Sequence, residues 1–373
     1  MPGGWLADQI GGKWLFGGGI LGCAALTLLT PTAAFHGDFG GVFSVRMLEG
    51  VSEGFSLPAT HALFSRWTPR WQSTRAVTLV CSGEQIGYLV GMMFGGLFSD
   101  YGFAGGWPSV FYLLGSTGCI WAFLFFCLCF SSPSTHPQIS QAEREYLEVA
   151  VGPRVEKPKT PWRKILTSMP VWALCVGKVA YVWGYQTMVN GLPLFYYDVL
   201  GFDMTTNGLA ASLPYLATAF TLVITGMVAD WLRAQAGLST TRVRKIFCAC
   251  GMILSSMFLI VSPYLGCDRV LVVVVMILAM GCKGMAWANL SVNALDLSPV
   301  HAAVLMGISN TAATLSAIAV PQVIGVLTNY NPSRAQWRKV FYISASIEWF
   351  GCFFFVLFGS GELQNWHDDT NSE

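Results

Sequence analysis

The sequence predicts an all-α polytopic membrane protein with about ten complete transmembrane helices. Three observations carry this. Of 373 residues, 54% are hydrophobic and only 11% are charged, against about 25% charged in a typical soluble domain. Apolar stretches of roughly twenty residues, the length that crosses a bilayer, recur ten times along the chain. The 40 glycines are ordinary where helices pack closely in lipid. Twenty-one Lys and Arg against twenty Asp and Glu leave a net charge of +1, so no charged field points to nucleic acid. The partners implied are the lipid bilayer and small solutes.

The elements follow in order. Residues 1–13 are too short and too glycine-rich for a signal peptide, which needs a basic segment and an apolar core; they read as a helix stub and a tight turn. The spans are expected at 14–35, 39–63, 76–99, 107–130, 170–194, 207–231, 245–265, 270–295, 301–327 and 339–359. One long polar stretch, 131–168, divides four spans from six. Its five prolines break helix. Between them a short surface helix is expected from Gln141, with Ser140 as N-cap and Glu143 three residues on. The domains are therefore an incomplete N-terminal half (1–130), a cytoplasmic linker (131–168), a six-helix half (169–360) and a cytoplasmic tail (361–373).

Positive charge fixes the orientation, because Lys and Arg are retained in cytoplasmic loops. One set of alternate loops carries fourteen Lys and Arg, the other four, and Arg46, Lys178 and Lys283 fall inside spans. Linker and C-terminal tail are thus expected in the cytoplasm. Single-cysteine variants in the linker should be labelled by an impermeant thiol reagent only from the cytoplasmic side. Labelling from the opposite side would reverse the topology.

An internal echo supports two related halves. Gly4-Trp-Leu-Ala-Asp8 recurs as Gly226-Met-Val-Ala-Asp230, each before a basic turn. Two spans precede the second copy and none precedes the first. The expectation is an N-terminally truncated chain whose complete version has twelve spans, and which transports only when a two-span extension is restored.

The eleven cysteines lie almost all within apolar stretches, where Cys acts as a small hydrophobe. Cys127-Leu-Cys129 and Cys248-Ala-Cys250 lack nearby ligands, so no metal site is expected. Gly-x-Ser-x-Gly, His-Glu-x-x-His and the phosphate-binding Gly-x4-Gly-Lys-Ser/Thr are absent. An enzyme, a cofactor or ATP-driven transport is therefore not expected.

The chemistry is concentrated in the second span, which reads Arg46-Met-Leu-Glu49-Gly-Val-Ser-Glu53-Gly54. Arg46 and Glu53, seven residues apart, share one helix face, with Glu49 between them. A charge within a span costs about 2.5–3.5 kcal/mol to insert and normally faces a polar cavity or a partner. The group reads either as an ion pair that locks helices or as a solute or proton pathway. Glu84 is a further candidate for the pathway. Lys178 and Lys283 have stems long enough to snorkel from near an interface. Asp296 and His301 flank Pro299 at a corner where capping is expected. Asn289, Asn293, Asn310 and Glu348 complete the embedded polar groups.

These residues resemble a known family over nearly the whole chain. Residues 3–13 look like the loop between the second and third helices of the major facilitator superfamily. Arg46-Met-Leu-Glu-Gly-Val-Ser-Glu-Gly54, Pro58-Ala-Thr-His61 and Trp67-Thr-Pro69 resemble the fourth helix and following loop of its anion–cation symporters. Gly106-Trp-Pro-Ser-Val-Phe-Tyr112, Leu305-Met-Gly-Ile-Ser-Asn310 and Ser360-Gly-Glu-Leu-Gln-Asn-Trp366 fit the same pattern. That family includes sialin, the vesicular glutamate transporters and the sodium–phosphate cotransporters.

The resemblance implies a major facilitator fold and secondary transport of an organic or inorganic anion, coupled to a proton or sodium, by alternating access. It puts Arg46 on an anion-handling arginine, Glu53 on a proton-coupling glutamate and His61 on a pathway histidine. The seventh-helix arginine of vesicular glutamate transporters falls on Tyr181, a substrate-contact position. This departure favours a sialin-like or phosphate-transporter-like relative. The membrane implied is lysosomal, vesicular or plasma membrane. The alternative is a non-transporting remnant or isoform.

Overall fold

A computed structural model describes residues 11–56, 59, 60, 63, 67, 73–151, 160–235, 237–266, 268–298 and 301–364. Its described helices are α1 (Gly12–His36), α2 (Asp38–Glu53), α3 (Ser73–Tyr101), α4 (Pro108–Leu128), α5 (Gln141–Val151), α6 (Trp162–Thr167), α7 (Met169–Leu200), α8 (Met204–Ala234), α9 (Thr240–Val261), α10 (Arg269–Leu297), α11 (Ala302–Thr328) and α12 (Arg334–Phe358). Ten of them fall on the ten apolar stretches of the sequence. Seven described helices are long and apolar enough to cross a membrane. Large apolar side chains such as Phe220, Ile318, Phe350 and Phe353 stand exposed on them, as a lipid solvent requires.

The helix ends have local causes. Pro108 starts α4, where its missing N–H costs nothing. Asp203 accepts the Thr206 amide at 3.0 Å and its hydroxyl at 2.7 Å, capping α8. Those bonds hold the Asp203 carboxyl below the usual carboxylate range. The cap is therefore complete at neutral pH and weakens as pH falls through that lowered value. Asp268 caps α10 through the Leu271 amide at 3.1 Å. Gly201 ends α7 in the left-handed region, φ 63°, which a Cβ disfavours. The linker helix forms as expected, with Ser140 Oγ accepting the Glu143 amide at 3.2 Å. The second span is the exception. The sequence places it at 39–63 without a break, whereas α2 ends at Glu53 with Gly54 as its cap and the described residues 56, 59, 60 and 63 beyond the turn are helical again.

Two units are distinguished. In the first, comprising residues 1–81 and 97–156, α1 packs on α2 and on α4. Small residues bring these backbones together. A Cβ on Gly19 would stand 2.8 Å from the Ser52 carbonyl oxygen, and one on Gly115 would stand 2.7 Å from Leu28.

The second unit comprises residues 82–96 and 157–373. Here α10 packs on α8 and α9, α7 packs on α11 and α12, and α9 meets α12. Thr218 and Thr221 of α8 donate to the Met280 and Gly281 carbonyls of α10, at 2.9 and 2.6 Å. Such bonds cross-link helices where water is absent. The core collects Tyr181, Tyr185, Met188, Tyr215, Met252 and Trp337.

Candidate functional site: two charge clusters

The first cluster lies in the first unit. Arg46 Nη1 is 2.7 Å from Glu49 Oε2, and its guanidinium stands 5.4 Å from the Phe111 ring centre. Glu49 Oε1 accepts the Thr27 hydroxyl of α1 at 2.9 Å. Glu53 Oε1 accepts the Cys23 thiol at 3.4 Å. The Arg46 side chain is 51% exposed and that of Glu49 only 7%. The sequence reading pairs Arg46 with Glu53; in the structure Glu49 takes that place. The cause is helix geometry, since three residues rise about 4.5 Å and seven about 10.5 Å. Glu49 alone takes the guanidinium, and Glu53 accepts a thiol.

The second cluster lies in the second unit. Tyr181 is 3% exposed and stacks on Trp287 (5.1 Å between ring centres) and on Tyr185 (5.9 Å). The aromatic file continues through Tyr88 of α3 to Tyr215 of α8. Tyr185 donates its hydroxyl to Gln85 at 3.4 Å. Glu84, one turn before Tyr88, is within electrostatic reach of Tyr181.

Two lysines flank the file. Lys178 donates to Asn310 Oδ1 at 2.9 Å and to Met306 Sδ at 3.2 Å, and lies 6.0 Å from the Trp287 ring centre. Lys283 Nζ is 2.5 Å from Glu348 Oε2 and 5.5 Å from the Tyr181 ring centre. Neither side chain of that pair has any exposure.

Several sequence readings change here. Lys178 and Lys283 do not snorkel; both are fully buried. Lys283 is at the middle of α10, about 21 Å from either helix end by helix rise, beyond the reach of its stem. Asp296 does not act as a cap. It receives Arg244 Nε at 2.7 Å, while Arg244 Nη1 donates to Asn289 at 3.0 Å. Glu348, named in the sequence without a role, becomes the partner of Lys283. The available signal was two opposite charges, each near the centre of its own span. His61 lies outside the described residues.

Among the described residues no group of three or more His, Cys, Asp or Glu is arranged to hold a metal. What the two clusters offer is charge held in place, half-exposed in the first and buried in the second: cations that attract an anion, and carboxylates that trade a cation for a proton.

The profile of the Major Facilitator Superfamily matches residues 1–321. Human sialin is 38% identical over 367 residues, which cover 98% of this chain and 73% of sialin. Bovine vesicular glutamate transporter 2 is 37% identical over 381 residues, covering the whole chain and 64% of that protein. A putative inorganic phosphate cotransporter of Drosophila ananassae is 34% identical across the whole chain and covers 78% of its own length. The chain therefore spans between about two-thirds and four-fifths of these relatives.

Among solved structures, a D-xylose–proton symporter superposes with a TM-score of 0.72 at 14% identity, over 97% of this chain and 85% of its own. A bacterial homologue of the human lysosomal transporter Spinster, inward-facing and occupied, gives 0.70 at 13%, over 95% and 84%. At such identity these two show the fold alone. The profile match over most of the chain, with the near-full-length identity to sialin, establishes that this protein belongs to the major facilitator superfamily, as a relative of sialin, the vesicular glutamate transporters and the phosphate cotransporters.

Proposed function

We propose that the protein is a secondary active transporter of anions, working by alternating access and driven by a coupling proton or sodium ion. The observation that carries this is the grouping of Arg46, Glu49 and Glu53 on α2, with one guanidinium for two carboxylates. An anion arriving at Arg46 competes with Glu49 for the guanidinium. Glu53, which has no cation of its own in the group, binds the coupling proton as the anion arrives and releases it on the other side. Tyr181 lines the solute path in the second unit, with Glu84 beside it. The likeness to sialin supports a carrier of small organic anions, in a lysosomal, vesicular or plasma membrane.

The test is Glu53→Gln in the reconstituted full-length protein. Solute counterflow needs no net proton movement and should persist near the parent rate. Gradient-driven accumulation should fall about tenfold or more, as for an ionisable group whose charge change supplies the coupling. Retained accumulation together with lost counterflow would sink the assignment.

A further inference from the structure

Beyond the end of α12 the chain turns back across the ends of two other helices of the second unit. The Asn293 side chain of α10 donates to the Ser360 carbonyl at 2.8 Å. The Gly361 amide donates to the hydroxyl of Thr241, in the first turn of α9, at 2.9 Å. The Gln364 amide donates at 2.9 Å to the carbonyl of Leu297, the last residue of α10. That carbonyl is one of those a helix end leaves without an internal partner. Residues 360–364 also hold their own turn. The Glu362 amide donates to Ser360 Oγ at 3.1 Å, and the Gln364 side chain donates to the Glu362 carbonyl at 3.2 Å. Gly361 lies flat on α9, where a Cβ would stand 2.9 Å from the Thr241 nitrogen and 3.0 Å from the Thr240 carbonyl carbon.

The anchors bracket one ion pair. Thr241 is one turn before Arg244 on α9, and Asn293 and Leu297 stand on either side of Asp296 on α10. Arg244 meets Asp296 at 2.7 Å, and the two side chains are only 6% and 12% exposed. Asn293 and Leu297 are fully buried. Side chains thus join α9 to α10, and the segment from α12 joins the same two helices again, largely through its backbone.

The segment itself is held by polar contacts. Its one large apolar side chain, Leu363, is 63% exposed, and Glu362 beside it is exposed too. Little apolar surface is lost to water when it lifts, and water competes for each of its hydrogen bonds. A segment secured in this way opens locally while the rest of the fold stays closed. We propose that Ser360–Gln364 is a releasable strap, which closes over the Arg244–Asp296 pair and fastens α9, α10 and α12 into one block at their ends. With the strap on, the three ends move together. With the strap off, α9 and α10 are joined there by side chains that water then reaches, and their ends part more often. Cys248, one turn inward from Arg244 and fully buried, reports that parting. The device is independent of the solute carried.

The test is made on the full-length protein in lipid nanodiscs, with two single variants that approach the strap from opposite sides. Gly361→Ala pushes it off α9 by steric contact. Thr241→Val keeps the shape of the first turn and removes the acceptor. Amide hydrogen exchange is read by mass spectrometry in peptides covering 242–248 and 292–298, and maleimide labelling is read at Cys248. In both variants exchange and labelling should speed about two- to tenfold, as for the loss of one hydrogen bond. Peptides of α7 and α11, and the melting temperature, should keep their parental values. Unchanged exchange or labelling in either variant would overturn the strap. So would protection lost throughout the second unit, or failure of either variant to fold, because a releasable strap is not part of the core.

Discussion

Lys283→Met alone is expected to destabilise the protein by about 3–5 kcal/mol, because it strands Glu348 as an unpaired charge inside the second unit. That is a large fraction of the roughly 5–15 kcal/mol that holds a typical domain folded. The variant should express poorly and lose its melting transition at working temperature. Glu348→Gln should cost less, since the amide keeps a hydrogen-bond acceptor against the ammonium. Adding Glu348→Gln to Lys283→Met should recover most of the loss, because no buried charge is then left alone. Thermal melting of the two single variants and the double variant reads this directly. Additive losses in the double variant would mean that the two side chains do not act as a pair.

Arg46→Met is expected to reduce uptake at low anion concentration about thirty- to a hundred-fold while leaving the fold intact. The guanidinium is the cation of the first cluster and half of its side chain is exposed, so its removal need not unpack the helix. Losing one partner of an anion–cation contact costs about 2–5 kcal/mol, or roughly thirty- to several-thousand-fold in affinity. Partial exposure puts the expected loss at the lower end, about thirty- to a hundred-fold. Arg46→Lys should restore little, because a point charge does not reproduce the planar fork that grips a carboxylate. Substrate concentration dependence separates the effects: lost binding raises KM, whereas lost coupling lowers the maximal rate.

The sequence was most legible where one physical requirement dominates. Twenty apolar residues in a row permit little else than a spanning helix, and α1, α4 and α12 lie within two to five residues of their expected bounds. The Ser140 cap was legible because the accepting side chain and the donor amide are three residues apart. The end of α2 was less so, since the apolar pattern runs past Gly54 and nothing local marks the cap.

Side-chain partners were the weakest part. Helical periodicity puts both Glu49 and Glu53 on the face of Arg46, and only the three-dimensional distance selects Glu49. Lys283 and Glu348 are far apart in the chain, so no spacing rule joins them. Their meeting depends on how α10 and α12 pack, with Gly184 of α7 making room. Arg244 and Asp296 illustrate the same limit. Asp296 read as a helix-end cap, and only the packing of α9 on α10 brings it to 2.7 Å from Arg244.

The central claim is that an ion gradient drives an anion through this fold. The most direct measurement is uptake into proteoliposomes from a panel of sialic acid, glutamate, urate, nucleotides and phosphate, with and without an imposed proton or sodium gradient. The protein is the full-length form, purified and reconstituted. The expected result is saturable accumulation of an organic anion above its equilibrium level, only with a gradient, and none by Arg46→Met. If no member of the panel accumulates under either gradient, the assignment of Arg46, Glu49 and Glu53 to coupled anion transport is contradicted.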